Sequence, residues 1–299
     1  MRDFEYEAPA SVAEAVRVLS QHNGAARPLA GGTDLIDQIR TGRHQPQVVV
    51  DIKKIPELGV LEKSATGLRL GAAVPCYRIY GDAGICDAYA ALADSARIIG
   101  GIQIQSRASV GGNLCNSGPA ADSTPSLIAL GAVAVVAGPQ GRREVAVENF
   151  CTGPGKNVLT PGEFLVELKF PARPAHSGSH YRRFIPRNEM DIAVVGVAAS
   201  VVLDDKGETF VWARIALGAV GPRPLFAKDA SALLSGKSVS DETIGQAADA
   251  ARAIASPIDD MRGTKEFRIH ITGVLTRRVL EEAVKRARQK RDPLLDVSK

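Results

Sequence analysis

The chain has 299 residues, with 37 Lys or Arg against 33 Asp or Glu and a net charge of +4. Hydrophobic residues at 45% and charged residues at 23% exclude a disordered or fibrous protein and leave enough interior for two compact domains or a single large one. Aromatic residues at 5% argue against a protein that stacks nucleic-acid bases on exposed rings. The charge is uneven: between Thr264 and Lys299, ten Lys or Arg stand against five Asp or Glu, so the rest of the chain is nearly neutral. A basic tail suits either an acidic partner or a solvated helix face. Cys76, Cys86, Cys115 and Cys151 lack the two-residue spacing of zinc and iron–sulfur sites. Met1-Arg2-Asp3-Phe4-Glu5 lacks the apolar core of a signal peptide and no apolar run reaches membrane-spanning length; the expectation is a cytoplasmic protein with reduced thiols, no membrane span and no nucleic acid.

In chain order, Ser11 to His22 reads as a helix, with Ser11 and Glu14 as a capping box and Val12, Ala15, Val16 and Leu19 on one face. A short strand at 27–30 runs into Gly31-Gly32-Thr33-Asp34, followed by a helix from Leu35 to Arg40. Strands are expected at 48–52 and 68–70, and a helix over 87–99 ended by Gly100-Gly101. Residues 105–125 are small and polar and read as a long binding loop, leading into an apolar helix at 126–130 and a strand at 132–137. A strand at 164–170 precedes Pro171-Ala172-Arg173-Pro174 and Ser177-Gly178-Ser179, the best linker candidate. Beyond it, 191–203 and 209–217 read as paired strands, and helices are expected near 226–235, 241–254 and 265–290. The reading is α+β, with domains 1–175 and 176–299, the second a small antiparallel sheet covered by helices.

Two glycine segments carry the chemistry. In Ala30-Gly31-Gly32-Thr33-Asp34-Leu35, a glycine pair between strand and helix lets the backbone approach a ligand and aim N–H groups at it, and the following helix N-terminus favours phosphate. A tight turn capped by Thr33 or Asp34 accounts for this segment equally well. The second segment, Ser109-Val110-Gly111-Gly112-Asn113, continues through Asn116 and Gly118 to Asp122, whose ordinary role is to cap the helix containing Pro125. Two such segments in one domain suit two phosphates, and hence a dinucleotide. No Gly-x-Gly-x-x-Gly follows a strand. Ser235-Gly236-Lys237-Ser238 ends like a P-loop, but Ser231 stands where the first glycine belongs.

The pair Ala-Gly-Gly-Thr-Asp and Ser-Val-Gly-Gly-Asn, with Pro119 and Asp122 downstream, resembles the FAD-binding medium subunit of molybdenum hydroxylases. The likeness extends over nearly the whole chain, including residues 161–171 and Arg187-Asn188-Glu189-Met190-Asp191-Ile192-Ala193. It implies a vanillyl-alcohol-oxidase-type (PCMH-type) FAD domain of two α+β subdomains and a separate C-terminal domain. It implies non-covalent FAD, since none of the five histidines (His22, His44, His176, His180, His270) lies in a glycine segment.

Carried over, Leu29, Ala30, Gly31, Gly32, Thr33, Asp34 and Leu35, with Ala108, Ser109, Val110, Gly111, Gly112 and Asn113, would wrap the pyrophosphate. Asn116, Gly118 and Asp122 would lie along the adenosine and phosphates. Ile99, beside Gly100, would pack on a face of the isoalloxazine, although a helix-end residue of this kind is ordinarily core. Leu165 would touch the adenine or the ring. Arg183 and Arg187 would approach the pyrimidine edge, where a cation steadies negative charge, or form a solvated strand edge. Asp191 would bond loop N–H groups. Tyr181 and Phe184 are both candidates for the second ring face. Cys115 reads as a packed side chain, and His180 as a solvated linker residue.

The resemblance also implies partners: a large molybdopterin-binding subunit and a small subunit with two [2Fe–2S] clusters, assembled as a dimer of heterotrimers, with electrons passing through FAD to NAD⁺, a quinone, ferredoxin or O₂. The basic Thr264–Lys299 helix would dock a partner or face solvent. A self-contained FAD oxidoreductase of the same fold, and a non-catalytic nucleotide-binding protein, are the competing readings.

Overall fold

The structure is a computed structural model that describes residues 2–289; the basic segment expected to run to Lys299 extends past them. In chain order the elements are β1 (Glu5–Glu7), α1 (Val12–Gln21), β2 (Ala26–Leu29), α2 (Leu35–Arg40), β3 (Val48–Asp51), β4 (Leu61–Ser64), β5 (Gly67–Gly71), α3 (Cys76–Tyr80), α4 (Ala83–Ala88), α5 (Ala90–Ala96), α6 (Ile102–Gln105), α7 (Val110–Asn116), α8 (Ser123–Ala129), β6 (Val133–Gly138), β7 (Gly141–Ala146), β8 (Cys151–Gly153), β9 (Lys156–Asn157), β10 (Phe164–Pro171), β11 (Ser177–Phe184), β12 (Val195–Leu203), β13 (Phe210–Gly218), β14 (Leu225–Phe226), α9 (Lys228–Leu234), α10 (Asp241–Ala253) and α11 (Lys265–Arg288).

They form a small parallel sheet β1-β3-β2, an antiparallel sheet β4-β5-β10-β6-β7, a β8-β9 hairpin and an antiparallel sheet β11-β12-β13-β14. The parallel sheet arises because α1 is a crossover with one apolar stripe. Ala15, Val18 and Leu19 bury against Val48 and Val50 of the central strand. Ser11 caps this helix by accepting from Glu14 N at 3.2 Å, while Glu14 Oε2 accepts from Ala10 N at 2.8 Å; the reciprocal half of the capping box is thus displaced by one residue.

The helix expected over 87–99 is interrupted at Tyr89. Its backbone leaves the helical region there (φ −125°, ψ 49°). The side chain is fully buried, packs edge-on to Phe170 at 5.7 Å and donates to the Pro171 carbonyl at 2.9 Å. The anchored ring outweighs the helical spacing. Residues 105–125 also differ from the expected loop, since α7 and the start of α8 lie within them. Two adjacent glycines disfavour a helix, but Ser109 caps α7 by accepting from Gly112 N at 3.0 Å, and close packing against Ala72 holds it.

The expected linker at 177–179 is the first part of β11. Gly178 is required there for packing rather than mobility: a Cβ would collide with the Ala283 carbonyl of α11. The sheet it begins is covered on both faces. Val197, Ala199 and Val201 of β12, with Ala213, Ile215 and Leu217 of β13, pack with Leu275, Val279, Leu280 and Ala283 of α11. The alternate positions are Gly196, Ala198, Ala216 and Gly218, and they face the first half of the chain, where Ala198 and Ala216 join the core that includes Leu92, Ala96 and Leu127.

Asp94 of α5 fastens this packing. It accepts from His180 Nδ1 at 2.6 Å, Tyr181 N at 3.2 Å and both Arg286 Nη atoms at 2.7 and 3.3 Å. His180 is therefore a paired strand residue with a side chain only 16% exposed, in place of the solvated linker histidine expected. Burial pushes the Asp94 carboxyl up, but its bonds to His180 and Arg286 prevail and hold it below the ordinary range. Asp94→Ala should cost about 2–3 kcal/mol in urea unfolding at pH 7, because it strands Arg286 and His180. A carboxylate depressed by folding stabilises above its unfolded pKa, so the gap between variant and wild type should close as the pH falls through the folded value.

Candidate functional site

The two glycine segments converge. Gly31, after the end of β2, is pressed so closely on the Arg107 carbonyl that a Cβ would overlap it, and Arg107 Nε lies 3.4 Å from the Gly31 carbonyl. Arg107 immediately precedes Ala108 and Ser109, which run beside the segment leaving β5: Cys76 N donates to the Ala108 carbonyl at 2.8 Å, and Ser109 bridges to Pro75. Gly111 then meets Ala72, where a Cβ would collide with the carbonyl. Three stretches of backbone thus lie side by side because two of their residues lack side chains.

Gly32 adopts φ +79°, the left-handed conformation that glycine tolerates best. Thr33 and Asp34 follow, both exposed. Among the described residues, no hydrogen-bond acceptor takes the N–H groups of Gly32, Thr33 and Asp34. Three neighbouring unpaired N–H groups at a turn form an edge that accepts an anion. Asp34 does not cap its helix with its side chain; its Oδ1 accepts from Asn116 Nδ2 at 3.3 Å, while Asn116 Oδ1 accepts from Gln38 Nε2 at 2.9 Å. Asn116 therefore ties the end of α7 to both turns of α2. Gln38 was not among the sequence candidates; its position four residues after Asp34, one helical turn away, is the signal that places it there.

Asn113 turns inward and accepts from Ser123 N and Oγ at 3.2 and 2.6 Å, fixing the start of α8. Ser117 reverses the chain in the left-handed region (φ +52°), and nothing lies within 4 Å of a Cβ built on Gly118, so that backbone faces open space. Leu29, Ala30 and Leu35 are half-buried around the first turn, and Ala108 and Val110 are buried in the second. Ile99 and Leu165 belong to the same apolar core, and Gly100 turns the chain after Ile99 at φ +59°.

Asp122 lies at the far end of the second segment and is 9% exposed. Arg183 Nη1 donates to its Oδ2 at 2.6 Å and the Tyr181 hydroxyl to its Oδ1 at 2.8 Å. These three side chains join the second glycine segment to β11. Burial pushes the Asp122 carboxyl up to about 6, against the pull of Arg183 and Tyr181. Burial, reinforced by the Asp122 charge and hydrogen bond, raises the Tyr181 hydroxyl well above its usual value. The two arginines paired in the sequence reading are separated. Arg183 is committed to Asp122, whereas Arg187 is exposed and pairs with Asp191 at 3.3 Å. Asp191 accepts from one loop amide, Ile192 N, at 2.8 Å. Tyr181 is buried against Asp122, and Phe184 packs edge-on to Phe267 at 5.6 Å. Cys115 is held up at about 12 by burial and then by neighbouring Cys151, so at neutral pH it is a thiol.

Gly111→Ala should lower stability by about 1–3 kcal/mol through overpacking on Ala72, read from denaturant midpoints. Gly118→Ala has no neighbour to displace and should change stability by less than about 0.5 kcal/mol. Asp122 gives a signed pH effect. An acid whose folded pKa is raised stabilises below its unfolded pKa and loses that contribution as pH rises to the folded value, here between about 4 and 6. Asp122→Asn should therefore gain on the wild type by roughly 1–3 kcal/mol between pH 4 and 7 in urea titrations; parallel pH curves would contradict this.

Residues 2–173 match the family described as the FAD binding domain in molybdopterin dehydrogenase, and residues 180–283 match the CO dehydrogenase flavoprotein C-terminal domain. The chain is 33% identical over 280 residues to the carbon monoxide dehydrogenase medium chain of Hydrogenophaga pseudoflava, covering 94% of this chain and 96% of that one. It is 34% identical over 288 residues to the putative xanthine dehydrogenase FAD-binding subunit of Escherichia coli, covering 95% and 97%. A solved carbon monoxide dehydrogenase chain from Hydrogenophaga pseudoflava superimposes with a TM-score of 0.90 at 34% identity, over 95% of this chain and 98% of that chain. Quinoline 2-oxidoreductase from Pseudomonas putida 86 superimposes with a TM-score of 0.88 at 30% identity, over 96% and 99%. With its glycine segments on a PCMH-type FAD domain and an antiparallel sheet domain behind them, the chain belongs to the FAD-binding medium subunits of the molybdenum hydroxylases, a family of oxidoreductase subunits.

Proposed function

We propose that this chain carries electrons, through non-covalently held FAD, from the [2Fe–2S] clusters of a small subunit to an external acceptor, in a complex whose molybdopterin lies on a large subunit. The observation that carries the reading is the meeting of the two glycine segments, where the unpaired N–H groups of Gly32, Thr33 and Asp34 lie next to the Arg107–Ser109 backbone. An anion-accepting edge of this kind suits the FAD pyrophosphate, with Ala108 to Asn113 on its other side and Asn116 holding the two segments in register. Open backbone at Gly118 leaves room along the adenosine; of the apolar core that holds both, Ile99 would face the ring and Leu165 the adenine or the ring.

FAD, when bound, exchanges electrons singly or in pairs and so joins one-electron clusters to a two-electron acceptor. The residues of this chain bind and orient it. Asp122 and Arg183 neutralise each other, so Arg183 acts by positioning the 117–122 segment against β11 rather than as a free cation. The exposed Arg187 is left as the cation of the 185–192 segment. The chain divides near residue 175 into the FAD domain and the C-terminal domain, works in the cytoplasm and assembles as a dimer of heterotrimers. In that assembly α11 keeps one face in the C-terminal core, and its outer face presents Arg278, Glu281 and Lys285. Among the described residues, no helix is long and apolar enough to cross a membrane, and no group of His, Cys, Asp or Glu could hold a metal ion.

The test is to purify the native complex, assay molybdenum, iron and FAD together, and repeat the measurement with Gly31→Ala. The wild type should contain all three, with the FAD on this chain. The variant should bind FAD at least tenfold more weakly in fluorescence titrations, because the new methyl group separates the two segments. FAD alone on a single chain that oxidises an organic substrate unaided would overturn the relay.

A further inference from the structure

Between the α2–β3 loop and the start of the chain lies a cleft that the FAD reading does not use. It lies at the C-terminal end of α2 and has a volume of about 140 Å³, the space of four or five waters at about 30 Å³ each. Buried Ile39 and Pro46 form its floor, and Arg2, Arg40, Gly42, His44 and Gln45 complete the lining. Arg27, on β2, and Arg43 stand close enough for their charges to act on His44.

The loop that holds these residues is fixed at both ends. His44 N donates to the Gln38 carbonyl at 3.1 Å, Glu5 N to the Gln47 carbonyl at 2.8 Å and Gln47 N to the Ala25 carbonyl at 2.8 Å. Among the described residues, Arg2, Arg27, Arg40 and Arg43 form no ion pair, whereas Arg69, Arg142, Arg143, Arg183, Arg214, Arg268 and Arg286 do. Burial, and then the positive charges of Arg27 and Arg43, push the His44 imidazole below its usual value, the direction expected in a field of uncompensated cations. Like charges gathered without a counter-charge are held apart only by the fold, and an anion in the cleft would relieve them.

We propose that this cleft is a binding site for a phosphate-bearing small molecule, held by Arg2 and Arg40 with His44 in its lining, and with Arg43 of the same loop adding positive charge beside it. Several guanidinium groups match the charge and the fork geometry of phosphate oxygens better than those of a single carboxylate. The small apolar floor suits one compact group rather than an extended acidic peptide. The site is separate from the glycine segments: α2 has six residues, which at about 1.5 Å each put the cleft roughly 9 Å beyond the Asp34 end.

Calorimetric titration of the full chain, saturated with FAD so that the glycine segments are filled, tests the assignment with inorganic phosphate, pyrophosphate, ADP and adenosine as probes. Pyrophosphate should bind one per chain at constant ionic strength, and R40A/R43A should weaken it at least tenfold while the FAD content and circular dichroism stay unchanged. Tighter binding of ADP than of pyrophosphate would identify a nucleotide as the source of the phosphate, and equal binding a simple phosphate ester or the free ion. The histidine resonances of the wild type should show the His44 pKa rising when pyrophosphate binds. No saturable heat, the same affinity in R40A/R43A, or adenosine binding as well as ADP would each overturn the proposal.

Discussion

The structure depends on how closely the first half of the chain can approach the β11-β12-β13-β14 sheet. Along β12 and β13 the residues alternate in size as well as in direction. Valine, isoleucine and leucine face α11, while Gly196, Ala198, Ala216 and Gly218 turn the other way. A side chain on Gly218 would crowd Pro125 of α8, and on Gly196 it would meet the Tyr181 hydroxyl. α5 lies near enough to this surface for its backbone to be bonded directly: Ser179 Oγ of β11 accepts from Ala91 N at 3.1 Å. Larger residues at these positions would leave Ser179 without that partner and buried, at about 1–3 kcal/mol.

That approach carries two acids into the interface, and the fold matches both with counterparts. Asp94 meets His180 and Arg286 at the edge of β11; Asp122 meets Tyr181 and Arg183. The two acids respond in opposite directions because their surroundings differ. Asp94 collects four donated hydrogen bonds and stays ionised, whereas deeper burial outweighs the partners of Asp122. A buried pair of this type adds little net stability, but it penalises any arrangement that separates the partners. Here that arrangement is one in which the 117–122 segment leaves the C-terminal sheet. The position of the second glycine segment is thus set from behind, by a different part of the chain.

The sequence made the glycine segments visible because a glycine pair between elements has few other uses, and their order with Pro119 and Asp122 was specific enough to identify the fold. Strands β2, β3, β5, β6, β10, β12 and β13 and most of the helices were legible from periodicity, whereas β1, β4, β7, β8, β9, β11 and β14 were not. Three further features were hidden. Tyr89 breaks a helix through a long-range contact with Pro171, and nothing local announces that. Gly111 and Gly112 lie inside α7 despite their poor helix propensity, since the cap at Ser109 and the contact with Ala72 are tertiary facts. Gly178 looked like a linker residue and is a packing residue, because a glycine that gives freedom and one that gives room are identical in sequence. For the site, the pairing of Arg183 with Asp122 was hidden by their separation of 61 positions, although each is a candidate by itself.

The distribution of polar groups shows what kind of work the chain does. Its polar side chains near the glycine segments are turned toward one another, Asn116 to Asp34, Arg183 to Asp122 and Arg187 to Asp191, and the groups left free at the first segment are backbone N–H. Half-buried Cys115 and buried Cys151 are protonated thiols, so they offer no thiolate nucleophile. A site that supplies aligned backbone donors and rigid walls, while its acids and bases hold structure, is suited to retaining a cofactor rather than attacking a substrate. The rigidity has a direct purpose in such a site: donors fixed before the ligand arrives lose little further entropy when it binds. Side chains that hold the scaffold and backbone that meets the ligand are, in this chain, two parts of the same arrangement.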